Sequence, residues 1–119
     1  MSNQQPDLEL KALPQFIGTQ EYFRGWLGAL LTDGVKYLSD NGYAWFVTDA
    51  LSVIKTAPKF RGEAFLTVEL HLADDHEADL VITDGNDHEL YRQHYEFTDA
   101  KKDLKLYFIG NVLMLASEY

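Results

Sequence analysis

The hydrophobic pattern of this chain changes period once, at Gly62, from helical spacing to strict alternation. A repeat of about 3.6 residues lines apolar side chains along one stripe of a helix, and a repeat of 2 lines them along one face of a strand. The change therefore predicts an α+β fold, with two or three N-terminal helices packed on an antiparallel meander sheet of about five strands.

Before Gly62 three helices are expected. Tyr22, Phe23, Trp26, Leu27, Leu30 and Leu31 have helical spacing behind a Thr19 N-cap, although Gly25 and Gly28 each cost about 1 kcal/mol there. A short strand at 15–17 precedes this segment. Thr32 caps a second helix over 33–41, with Asp33 at the positive end of the dipole and Gly42 in the left-handed stop. A third, over 43–57, carries Trp45, Phe46, Ala50, Val53 and Ile54 in its stripe and ends at Pro58.

After Gly62, Leu66, Val68, Leu70 and Leu72 alternate with more polar neighbours, as do Ala78, Leu80 and Ile82, and then Tyr91, Gln93, Tyr95 and Phe97. Asp74-Asp75-His76 and Asp84-Gly85-Asn86-Asp87 read as hairpin turns between them. Two more strands, 104–109 and 112–115, flank Gly110-Asn111. Thr-Asp-Gly occurs at Thr32 and Thr83, and Thr-Asp-Ala at Thr48 and Thr98. Their flanks differ in period and residue type, so they are not a repeat.

A length of 119 residues fits one domain, 15–119, behind a polar flexible leader, 1–14, whose Leu8, Leu10 and Leu13 are expected to dock at its end. The leader lacks the basic start and apolar stretch of a signal peptide, and no apolar run reaches the roughly 20 residues of a membrane span. The absence of cysteine excludes disulfides, thiolate metal sites and cysteine nucleophiles, and it suits a reducing cytoplasm.

The net charge of −9 is unevenly placed: 63–103 holds twelve acids against Arg92, Lys101 and Lys102, and elsewhere acids and bases cancel. A field of that sign repels phosphate backbones and attracts basic partners, besides keeping a small protein soluble. Asp74, Asp75, Glu77, Asp84 and Asp87, projecting from turns, are the expected partner-binding residues.

The segments LTDGVKYL at 31–38, AWFVTDA at 44–50, TDGN at 83–86 and NVLMLASEY at 111–119 occur in an order that resembles a family of short uncharacterised bacterial proteins common on plasmids and other mobile elements. The resemblance covers nearly the whole chain from Phe16 onward and implies no activity and no catalytic residues. It implies instead a mobile-DNA setting, in which small acidic proteins often bind host machinery.

Among residues that carry chemistry, Asp49 falls between Trp45 and Val53 inside the apolar stripe of the third helix. A carboxylate buried there needs a partner. It is either a general base or ligand-binding group, or an anchor bonded to a backbone N–H or a tyrosine of the sheet, or a residue at the stripe's edge. His71 and His94 sit on strands that share a face, and His76 and His88 sit at or beside turns. The ligand-type runs at 74–79 and 84–89 lie at opposite ends of one strand, on the order of 20 Å apart, too far for one metal. Neither matches a calcium loop, and no phosphate loop, nucleophile elbow or dinucleotide fingerprint is present, so no metal or cofactor is expected. Tyr91, Tyr95 and Phe97 resemble a stacking platform, but in the acidic half of the chain they argue against direct nucleic-acid binding.

Val112 to Leu115 is apolar on both faces, and at the edge of a meander it would need covering by the leader, the helices or a second copy in a homodimer. These features point to a non-catalytic interaction protein of a mobile element. Its acidic sheet region would dock on a basic nucleic-acid-binding host protein, as an anti-CRISPR-like inhibitor of host defence does. The alternative is a small-ligand-binding protein or minor enzyme centred on Asp49 with His71 or His94. A pocket at Asp49 with convergent polar groups would favour the alternative, and a flat acidic surface the first reading.

Overall fold

In a computed structural model that describes residues 22–86 and 88–119, Thr32 opens the helical half as its position predicts. Its hydroxyl accepts from the Val35 amide at 3.4 Å and starts α1 (Asp33–Leu38). The chain then widens into a π-type turn over Ser39–Tyr43, and Gly42, at φ 104°, breaks it in a conformation that other residues avoid. α2 (Ala44–Thr56) follows and buries Phe46, Val47, Ala50, Leu51 and Ile54. Pro58 ends it, forcing Ala57 to the extended backbone that a residue before proline prefers. The leader 1–14, the strand at 15–17, the Thr19 cap and Asp87 lie outside the described residues.

No helix spans Tyr22 to Leu31. In its place are two short strands, β1 (Phe23–Arg24) and β2 (Leu30–Leu31), joined through a 3-10 turn at Trp26–Gly28. The turn needs Leu27 at φ 54° and Gly28 at φ 84°, both outside the right-handed helical region. Gly25 fits because it is bare: an added Cβ would stand 3.0 Å from Leu31 Cδ2 and 3.2 Å from Leu51 Cδ1.

The five strands expected after Gly62 are present as β3 (Phe65–Leu72), β4 (Ala78–Thr83), β5 (Glu89–Tyr95), β6 (Leu104–Ile109) and β7 (Val112–Leu115). They are not a five-strand meander. With β1 and β2 they form one seven-stranded sheet in the order β1-β2-β7-β6-β3-β4-β5, in which β2 runs parallel to β7 and the other pairs are antiparallel. β6 returns beside β3 instead of β5, which makes β3 to β6 a Greek key. β7 is enclosed between β6 and β2, so its backbone is paired on both sides and gives no reason of its own for a dimer.

One sheet face and the helices share the core, built from Leu66, Val68, Leu70, Leu80, Ile82 and Leu106 against Leu38, Phe46 and Leu51. Each such side chain contributes about 1.5–3 kcal/mol on burial. The opposite face bears Glu69 and His71 of β3, Asp79 of β4, Arg92 and His94 of β5, and Lys105 and Tyr107 of β6. No helix of the described residues is long and apolar enough to cross a membrane.

Candidate functional site

Asp49 and Tyr95 meet where α2 crosses the end of β5. Alternation along β5 turns Tyr95 to the helix side, where its hydroxyl donates to Asp49 Oδ2 at 2.7 Å. Asp49 is half-buried, so it lies at the edge of the apolar stripe and not within it. Burial, followed by the neighbouring Asp49 carboxylate, pushes the Tyr95 hydroxyl well above its usual range. It stays a neutral donor at any physiological pH, which makes the pair a positioning contact and removes Tyr95 as a base.

Trp45, one helical turn before Asp49, packs edge-on against Tyr95, with ring centroids 4.9 Å apart and planes at 77°. Its indole N–H donates to the Gly42 carbonyl at 2.9 Å, which sets the ring relative to the break between the helices. These side chains form one wall of a cavity of about 450 Å³. The other wall comes from the connection between β5 and β6, through Phe97, Thr98 and Asp99.

Two bonds fasten that connection to the rest of the fold, and one closes a turn within it. The Lys101 amide donates to the hydroxyl of the fully buried Tyr43 at 3.1 Å. The Ala100 amide donates to Thr98 Oγ1 at 3.1 Å, and the Thr98 amide to the His76 carbonyl at 2.7 Å. The last bond ties the cavity to the β3–β4 turn, where the His76 ring also stacks on Phe97 at 5.3 Å. Phe97 is 70% exposed and stands at the rim. The turn is left-handed at Asp75 (φ 59°) and His76 (φ 66°), positions that Asp and His tolerate better than most residues. Both Thr-Asp-Ala triplets reach this cavity, one supplying Asp49 and the other Asp99.

The remaining candidate residues go elsewhere. His71 and His94 do share a face, in a cross-strand row with Asp79 between them, but it is the face opposite Asp49. His94 is held by Asp79 at 2.6 Å and Glu77 at 2.9 Å, and these two carboxylates, Asp79 foremost, raise its pKa. Asp79 also pairs with Arg92, and the hydrogen bond from His94 lowers its own pKa first of all. His71 pairs with Glu69 at 2.7 Å. An Asp49 site that includes either histidine is therefore not assembled. Asp84 turns inward on its own loop, accepting from the Asn86 and His88 amides at 2.8 and 3.2 Å and pairing with the His88 ring at 2.7 Å. Those bonds, the Asn86 amide first, hold its carboxyl below the usual range. It belongs to the opposite end of β4 from Asp74 and Asp75.

Among the described residues, no cluster of three His, Asp or Glu side chains is placed to hold a metal ion. The acids divide by task. Glu69, Glu77, Asp79, Asp84, Glu89 and Asp103 are engaged in ion pairs or hydrogen bonds, so Glu77 and Asp84, two of the expected partner-binding residues, are spent within the molecule. The carboxylates of Asp74, Asp75, Glu96 and Asp99 make none among the described residues, and Asp99 lies in the cavity wall while Asp74 and Asp75 occupy the turn fastened to it. Periodicity singles out Asp49 beside Trp45, and a tyrosine of the sheet was among its expected anchors, but nothing in the pattern marks Phe97 or Asp99 as companions. The one available signal was the repeated Thr-Asp-Ala.

No curated protein and no solved structure matches the chain. Matched over residues 7–119, the chain belongs to the family of unknown function DUF6876.

Proposed function

We propose that this is a non-catalytic interaction protein that docks on a basic protein through the end of the molecule where the Asp49 cavity opens beside the 74–77 turn. The observation that carries this reading is the cavity's lining: aromatic rings from Trp45, Tyr95 and Phe97 with carboxylates from Asp49 and Asp99. Rings attract cations through their faces, and carboxylates do so through charge and hydrogen bonds. Asp74 and Asp75, unengaged among the described residues, extend the same negative field to the rim. The mobile-element setting implied by the ordered motifs suggests the partner class, a basic nucleic-acid-binding protein of the host, and inhibition of host defence as the consequence. Asp84 has no part in the docking end, because its carboxylate is spent on its own turn.

A pull-down from host lysate followed by binding kinetics tests this. The Asp74→Asn, Asp75→Asn variant is expected to associate more slowly, and a rise in salt to slow the wild type, because exposed charges are screened within about 8 Å at physiological ionic strength; Glu77 is left unchanged, since its carboxylate is held by His94. A captured partner whose association responds to neither change would show that the acidity serves solubility alone.

A second reading keeps the same cavity but gives it a free small ligand. It is favoured by the volume of about 450 Å³, which falls within the roughly 300–1,000 Å³ of small-molecule sites. Retention of an organic cation by the purified protein, with no protein partner captured, would select it.

A further inference from the structure

The lining of the Asp49 cavity also discriminates between cations, and we propose that it receives the guanidinium of an arginine side chain from the docking protein. The inference rests on the docking reading above. A guanidinium is planar, with weakly hydrated faces and five N–H donors confined to its edge. The cavity matches both halves of that description. Trp45 and Tyr95 meet at 77°, so a flat group that stacks on one ring stands nearly perpendicular to the other and turns its own edge toward it. Asp49 and Asp99 are contributed by different segments, α2 and the β5–β6 connection, so edge donors pointing in different directions find separate carboxylates. Tyr95 occupies Asp49 Oδ2, which among the described residues leaves Oδ1 to accept from a ligand.

A lysine ammonium fits less well. Its three donors spread tetrahedrally from a strongly hydrated point charge. Against a lining in which three of the side chains are aromatic rings, part of that hydration is lost without replacement. Lys101, on the same connection, repels either cation and does not separate the two.

The test uses the full chain carrying Trp26→Phe, which leaves Trp45 as the only indole; Trp26 is half-exposed and outside the cavity. Trp45 fluorescence is followed while N-acetyl-arginine methylamide, and separately the lysine analogue, is added at physiological ionic strength. The arginine probe is expected to saturate the signal with a Kd of about 1–10 mM and the lysine probe to bind at least about fivefold more weakly. Asp49→Asn, which keeps an oxygen for the Tyr95 hydroxyl, is expected to weaken the arginine probe by about tenfold. Equal binding of both probes, an unaffected Asp49→Asn variant, or no saturation by arginine would each overturn the guanidinium assignment.

A short Arg-Gly repeat peptide separates this from the docking reading. If amides at Asp74 and Asp75 slow its association while Asp49→Asn changes nothing, docking stands and the cavity assignment fails. If Asp49→Asn weakens it and the turn amides do not, the cavity assignment stands without the docking field.

Discussion

Glu118, in the 3-10 turn Ala116–Glu118 that follows β7, holds three groups with one carboxylate. Oε1 accepts from Thr32 Oγ1 at 2.5 Å and from the Leu115 amide at 2.9 Å, and Oε2 accepts from the Gly34 amide at 3.0 Å. Thr32 and Gly34 belong to the start of α1, where backbone N–H groups have no partner within the helix. The approach is close enough to require glycine: a Cβ on Gly34 would stand 2.8 Å from Leu115 Cγ and 2.9 Å from Glu118 Oε1. A hydrogen bond to a charged group is worth about 1.5–3 kcal/mol, and a negative charge at a helix start adds about 0.3–1. These bonds are only part-buried and water replaces some of their value, so Glu118→Ala is expected to cost about 2–3 kcal/mol. Urea titration reads that loss directly, and for a domain of this length it lowers Tm by roughly 6–12 °C. Thr32→Val removes both the donor to Glu118 and the cap on the Val35 amide at nearly constant shape, and its loss should combine with Glu118→Ala by at least about 1 kcal/mol less than additively, through the shared bond. A Glu118→Ala loss below about 0.5 kcal/mol, or strict additivity, would mean that water already satisfies the helix start.

Asp49→Ala is expected to lower stability by roughly 1–2 kcal/mol, because it leaves the part-buried Tyr95 hydroxyl without its acceptor; denaturant melts measure this, and an unchanged midpoint would place the hydroxyl in water. His94 should titrate above its usual 6.5 in a proton NMR pH series and fall back when Asp79 becomes Asn. Since its pKa is raised in the folded state, its contribution is complete below pH 6.5 and fades as pH rises through the folded value. Asp79, with its pKa lowered, contributes above its usual 3.8 and loses that contribution as pH falls through the folded value, so both act together between these limits. A His94 titration at or below 6.5 contradicts the clamp.

The elements that local chemistry dictates were legible. Thr32, Gly42 and Pro58 mark helix boundaries through backbone preferences that act within a few residues, and alternation located each strand from β3 onward. The segment from Tyr22 to Leu31 misled because its apolar spacing is helical while its backbone is not. Gly25 and Gly28 were the warning, and their cost outweighed the stripe once β2 found a partner in β7. Sheet order was harder, since periodicity identifies a strand and not its neighbour. Connection length held the missing information. Five residues join β3 to β4 and β4 to β5, two join β6 to β7, and eight, 96–103, join β5 to β6. Eight residues span up to about 26 Å, and three strand spacings are only about 14 Å, so this connection has the reach to carry β6 across to β3.

The same crossover explains why the site was only half legible. Asp49 follows from its place on a helix, and a tyrosine of the sheet was one of its two expected anchors. Asp99 and Phe97 depend on where residues 96–103 are laid down, which is decided by Tyr43 accepting the Lys101 amide and by the Thr98 amide reaching His76. Charge counting saw twelve acids between 63 and 103 as one field. Folding sorts them: several are absorbed by Arg92, His71, His94 and backbone amides, and their worth is spent inside the molecule. Those left unengaged at the cavity end, Asp74, Asp75 and Asp99, gather at the turn and the connection that the crossover brings together. The placing of these free charges therefore depends on chain topology as much as on composition, and so does the proposed docking. A variant that keeps every charge but loosens the connection, such as Tyr43→Phe, is expected to weaken arginine binding at the cavity without altering net charge, through loss of the Lys101 anchor. Unchanged binding in that variant, with the fold intact by circular dichroism, would show that the cavity wall holds without its latch.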